Sequence, residues 1–368
     1  MTKKILTVIA FLVTFSISVI AQEQSNKSIQ LYPVRVNGKA GYIDRNGNIV
    51  IKPQFNRAWE FVGDLALVEI TKRYRGDERV MAYINTQGKL NIVEGASTYS
   101  EGVAIVGSPE NGIKVIDTIG KVVIKLPEEV SWTNRKFSDG MATIQLKNCI
   151  PYDTCGKLGF VNRLGQVVIE PKFRMAEDFH EGLAAVTIGN DEWFFIDKTG
   201  KEITKQRFHG LWGVTTDFSE GLAGVKIGDK WGYINKTGEI VIPPQFEGAK
   251  KFSEGLAAVQ VGCLWGYVDK TGTFIIKPQF RYALEFSEGL APIDPYQPNS
   301  IPCPLAGSHG KLGYIDKTGK LVIDAQFDLA FKFINGVAEI VIVNPKNEND
   351  LKHGYIDKTG KYIWKPTS

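Results

Sequence analysis

Trp265-Gly266-Tyr267-Val268-Asp269-Lys270-Thr271-Gly272 decides how this chain is read, because Trp231-Gly232-Tyr233-Ile234-Asn235-Lys236-Thr237-Gly238 repeats it almost residue for residue. Working outward, the residue after the first Gly recurs as Tyr42, Tyr83, Val115, Phe160, Phe195, Tyr233, Tyr267, Tyr314 and Tyr355, at spacings of 32 to 47 residues. Two positions later stands Asp or Asn, and three beyond that is always Gly: 47, 88, 120, 165, 200, 238, 272, 319 and 360. Asp-x-x-Gly between apolar runs is a tight hairpin. The Asp or Asn accepts backbone N–H bonds at the start of the turn, and Gly takes the positive φ at its end.

A second column, Phe-Ser-Glu-Gly-Leu-Ala, stands at 218–223 and 252–257, and as Phe-Ser-Glu-Gly-Leu-Ala again at 286–291. Phe137-Ser138-Asp139-Gly140 and Phe179-His180-Glu181-Gly182 are weaker copies. One unit therefore reads as three strands: A, Leu256 to Val261; B, Trp265 to Asp269; and C, Phe274 to Ile276, with Pro278 stopping strand C. No mature stretch keeps a helical period over eleven residues. The expected fold is all-β: about nine tandem three-stranded antiparallel meanders, each burying its apolar face on its neighbours. Whole units at both ends, with no strand left to share, favour an open twisted array or solenoid. A closed β-propeller-like ring is the alternative.

The two quoted octapeptides resemble the WG, or KWG, repeat, which occurs in tandem in many bacterial proteins. The resemblance covers roughly residues 30 to 366, and Trp itself stands only at Trp193, Trp231 and Trp265, with Ala40, Leu158, Leu312 and His353 elsewhere. It implies a β-repeat fold and no reaction.

The composition agrees. Among 368 residues, 38 are Gly and 11% are aromatic, a mixture suited to short strands and turns and poor for helices. Lys3 and Lys4 followed by the apolar run Ile5 to Ile20 and by Ala21 read as a signal peptide over 1–21. A short linker, 22–29, then leads into the repeat array, 30–366. The formal charge of +4 falls to near neutrality once Lys3 and Lys4 are removed, which argues against a nucleic-acid binder. Export to the periplasm or medium is expected, with no membrane span after cleavage.

No residue set converges on catalysis, a cofactor or a metal. His180, His209, His309 and His353 occupy unrelated repeat positions. Asp269-Lys270-Thr271-Gly272-Thr273 matches the phosphorylated-aspartate motif of P-type ion pumps. That chemistry needs membrane helices and a nucleotide domain, and the same string recurs here as a turn. Glu181, Glu220, Glu254 and Glu288 should line one rim as turn caps. Cys149, Cys155, Cys263 and Cys303 all fall in A–B connections, so Cys149–Cys155 and Cys263–Cys303 are disulfide candidates in an exported chain. The insertions collect in the same connections, placing Arg73, Tyr74, Arg75, Tyr152 and Tyr296 as binding candidates. The reading is a non-enzymatic exported scaffold that binds protein through these loops. The alternative is glycan or envelope-polymer binding through the aromatic columns.

Overall fold

The computed structural model describes residues 30–70, 80–92, 97–108, 112–132, 136–146, 156–189, 192–209, 216–295, 310–344 and 346–367. Among these residues all regular structure is strand, and every strand pairing is antiparallel. Repeat 7 is representative. Its strand A, Ala257–Val261, pairs with B, Leu264–Val268, and B pairs with Phe274–Ala283.

The WG dipeptide and the proline of strand C explain each other. Strand C does not stop at Pro278 but runs through it, as it does through Pro53 in Ile49–Phe55 and Pro244 in Ile240–Phe246. The register jumps from Tyr267↔Ile276 to Trp265↔Phe280, so strand C bulges and Pro278 stands in the bulge, where no ladder N–H is required. The bulge folds over the Gly of strand B: a Cβ on Gly266 would lie 2.6 Å from the Ile276 carbonyl oxygen and 2.7 Å from the Pro278 nitrogen. Gly41, Gly159, Gly232 and Gly313 are covered in the same way. Past the bulge the chain turns and pairs briefly with strand A of the next repeat, as Gly248–Ala249 does with Gln260 and Val259. Among the described residues, six of the repeats therefore carry a short fourth strand that the sequence did not announce.

The aromatic column is core. Tyr42, Tyr233, Tyr267 and Tyr314 are 0% exposed, and each ring packs against the Phe at the second-column turn of the next repeat (Phe61, Phe252, Phe286 and Phe333), with centroids 4.8 to 4.9 Å apart. Each hydroxyl donates to a backbone carbonyl of that next repeat: Trp59, Lys250, Leu284 and Phe331 at 2.7 to 2.9 Å. Every tyrosine of this set thus ties its own unit to the following one.

The same links join repeat 9 to repeat 1. Tyr355 Oη donates to the Pro33 carbonyl at 2.6 Å, and the Tyr355 ring stands 5.6 Å from Tyr32. Val34, Ile43, Val337 and Trp364 pack around them. The tandem meander stands as read, but it closes. The ring, the sequence's alternative arrangement, replaces the open array it favoured. Closure uses no shared strand, which is why whole units at both ends misled. Tyr32 supplies the bulk instead. In the other eight repeats its register position is Ala (Ala66, Ala104, Ala142, Ala184, Ala223, Ala257, Ala291, Ala338).

Candidate functional site

Because A, B and C alternate in direction, the ring has two faces. One carries the Phe-Ser-Glu-Gly turns and the Asp-x-x-Gly turns; the other carries the A–B connections. From repeat 3 to repeat 9 the first face is occupied by the protein itself. Glu254 holds φ 54°, a left-handed conformation that costs a non-Gly residue about 1–2 kcal/mol. From there its carboxylate accepts the N–H of Gly289, in the next repeat, at 3.0 Å and pairs with Lys317 Nζ at 3.1 Å. Glu181 with Gly221 and Lys236, Glu220 with Gly255 and Lys270, and Glu288 with Gly336 and Lys358 repeat the clasp. Asp139 does the same with Gly182 and Lys198. Glu101 accepts from Gly140, while Arg163 donates to the Glu101 carbonyl. These carboxylates are not caps of their own turns, as the sequence suggested. They fasten each repeat from the third to the eighth to its successor.

Every residue of the Asp-Lys-Thr-Gly string now has a structural duty. Asp269 Oδ1 accepts the N–H groups of Thr271 and Thr273 at 2.9 and 3.0 Å, and the Thr271 hydroxyl at 2.6 Å. Lys270 reaches back to the preceding repeat. Gly272, at φ 84°, faces Ile242 of that repeat, where a Cβ would lie 3.0 Å from the isoleucine methyl. The clasp also sets the carboxyl acidities. Burial opposes ionisation of Glu254, but the Lys317 and Gly289 donors outweigh it and hold the carboxyl below its ordinary value; Glu181, Glu288 and Asp139 behave alike.

The opposite face carries the ends of strands A and the starts of strands B. Residues from repeats 9, 1, 2 and 3 converge there around a cavity of about 650 Å³, which places it toward the ring axis. Arg35, Arg57, Trp59, Glu60, Glu339 and His353 line it, with His353 Nδ1 2.6 Å from Glu339 Oε1. A second cavity, of about 430 Å³, gathers Glu177, Asp178, Asp217, Lys250, Lys251 and Glu285 from repeats 5 to 8. Desolvation, then Asp217 and Asp178, pushes the Glu177 carboxyl above its ordinary value. No signal in the sequence marked these groups, because they precede the Phe of each second column and vary from repeat to repeat.

The WG containing repeat matches residues 41–74, 159–190, 193–231, 231–262, 265–293 and 313–342, more than half of the chain. The chain belongs to the WG-repeat family. No curated protein matches this WG-repeat chain in sequence. Among solved structures it is similar to a eukaryotic initiation factor, at 11% identity and TM-score 0.53, covering 92% of this chain and 98% of that one. It is also similar to BamB from Moraxella catarrhalis (12% identity, TM-score 0.40, 73% and 89% covered) and to puromycin hydrolase (12%, 0.37, 84% and 53%). The first likeness is one of fold alone.

The binding candidates Arg73, Tyr74, Arg75, Tyr152 and Tyr296 lie outside the described residues, as do Cys149, Cys155 and Cys303. Cys263 lies in the A–B turn of repeat 7, and no cysteine among the described residues is free. Among the described residues the His side chains of the WG ring stay apart: His180 faces Asp217 at 3.5 Å, and His353 faces Glu339, while His309 lies outside the described residues. Among the described residues no three His, Cys, Asp or Glu side chains gather as a metal site.

Proposed function

We propose that this WG-repeat protein is an exported, non-enzymatic scaffold that binds a protein partner on the face of the A–B connections. One observation carries the reading. From repeat 3 to repeat 9 the turn face is committed to holding repeats together, whereas the A–B face bears the insertions and opens onto a cavity of about 650 Å³ with aromatic, cationic and anionic walls. Export rests on the leader at 1–21. In the same reading Cys263 pairs with Cys303 and Cys149 with Cys155, stapling the A–B loops.

The test is capture by cross-linking from the envelope fraction of cells that make the protein. The full chain, a variant with residues 71–79 replaced by a Gly/Ser linker, and a Lys270→Ala control are compared. A partner bound by the full chain and the control but lost with the replacement is the expected result. Equal capture by all three would refute the assignment to this face. N-terminal sequencing of the product should begin at Gln22, and non-reducing peptide mapping should recover both cysteine pairs.

Glycan binding through the aromatic columns is not favoured. Those rings are sealed in the core, and a ring with 0% exposure cannot stack on a sugar.

A further inference from the structure

The clasp on the turn face fails at one junction in an instructive way. Between repeats 2 and 3, Gly63 stands where Glu254 stands in repeat 7, and Thr118 stands where Lys317 stands in repeat 8. Both halves of the clasp are lost together. The two positions still face each other, since a Cβ on Gly63 would lie 3.7 Å from the Thr118 methyl. A cleft of about 700 Å³ opens at this junction.

Its walls are hydrogen-bonding groups without employment. The side chains of Asp64, Thr86, Gln87, Lys89, Asn91 and Thr118 line it, and none has a protein partner among the described residues. Asn85, also in the wall, is by contrast used up: its Oδ1 accepts the N–H groups of Gln87 and Lys89 at 3.1 and 2.8 Å. Leu65, Leu90 and Ile119 add apolar surface, Ile119 being 83% exposed. Asp64 and Lys89 balance in charge.

From this set we infer that the cleft between repeats 2 and 3 binds a neutral saccharide. Carboxylate, carboxamide and hydroxyl groups together supply acceptors and donors at close intervals, which is what vicinal sugar hydroxyls require. The apolar residues meet the C–H face of the ring. One lysine offset by one carboxylate gives an anionic ligand no net attraction, and a single carboxylate is too few for a hard cation. Apart from Tyr99, which lines both cavities, the site differs in residues and face from the protein-binding surface proposed above.

Isothermal titration of the mature chain with cellotriose, maltotriose and diacetylchitobiose tests it, with trigalacturonate and a Ser/Gly/Asn decapeptide as competitors. Binding of at least one neutral oligosaccharide is expected. Asp64→Ala or Asn91→Ala should weaken it about tenfold, the loss of one well-made hydrogen bond. Gly63→Glu with Thr118→Lys rebuilds the clasp across the cleft and should abolish binding while the thermal melt stays equal or rises. Gly63 already has φ 64°, close to the 51–55° of the clasping carboxylates, so the replacement is tolerated by the backbone. The inference falls if none of the three sugars binds, if only the acidic sugar or the peptide binds, or if the rebuilt clasp leaves sugar binding intact.

Discussion

Position 254 separates two opposing contributions, and substitution there measures both. Glu254 is held at φ 54°, accepts the Gly289 N–H at 3.0 Å and pairs with Lys317 at 3.1 Å. Its side chain is 29% exposed and that of Lys317 45%, so the ion pair by itself is worth about 0.5 kcal/mol. The charge-assisted bond from Gly289 is stronger, about 2 kcal/mol. Glu254→Ala loses both and keeps the left-handed strain, a cost of about 2.5 kcal/mol. Glu254→Gly loses the same contacts but releases about 1 kcal/mol of strain, leaving a cost of about 1.5 kcal/mol. The order in urea unfolding should be wild type, then Gly, then Ala, with Gly above Ala by about 1 kcal/mol. In a double-mutant cycle, Glu254→Gln and Lys317→Met should couple by about 0.5 kcal/mol and less at high salt. An Ala variant as stable as the Gly variant would refute the strain. Loss of less than about 0.5 kcal/mol in the Ala variant would refute the clasp.

Gly266→Ala places a methyl 2.6 Å from the Ile276 carbonyl oxygen, and strand C must lift; destabilisation of about 2–3 kcal/mol is expected by thermal melt. Tyr32→Ala, which gives repeat 1 the residue of the other eight, should cost about 3 kcal/mol and increase amide exchange at both ends of the chain, measured by mass spectrometry. Acid should loosen the ring by a definite sign. Asp139, Glu181, Glu254 and Glu288 titrate lower when folded, so their contribution is complete above the unfolded carboxyl value of about 4.3. It is lost as pH falls through the lowered values, and a pH series of urea midpoints should show stability flat above about pH 5 and falling below it.

How much of this could be read from the sequence depended on separation along the chain. The Asp-x-x-Gly turn was legible because its cause is local: Asp269 caps residues two and four positions on. The meander was legible from alternating apolar runs between such turns. The bulge at Pro278 was not, since proline shows only that an N–H is missing, not whether the ladder ends or skips. The clasp was hidden because Glu254 and Lys317 are 63 residues apart and belong to different repeats. It did leave one trace: Gly63 and Thr118 depart together from the residues of the other junctions. Closure left almost none, for Tyr32 looks like any strand aromatic until its register partner is known.

The clasps also show how the ring is put together. They run without interruption from the repeat 3–4 junction, at Glu101, to the repeat 8–9 junction, at Glu288. At the junction of repeats 9 and 1 the clasp positions are Asn335 and Arg45, and Arg45 has no carboxylate partner among the described residues. At the 2–3 junction they are Gly63 and Thr118. Repeats 3 to 9 therefore form an arc in which each unit is fastened to the next by side chains on its rim, while among the described residues repeats 1 and 2 are held by packing, by tyrosine hydroxyls and by the Thr367 hydroxyl on the Arg35 carbonyl. In a closed ring the neighbours across the chain ends must find each other over more than three hundred residues, the longest loop the fold has to close. A rim without clasps at that place leaves the last two units free to settle into a gap of set width. The missing clasp at the junction of repeats 2 and 3 likewise leaves unfilled polar surface, which is where the saccharide cleft lies.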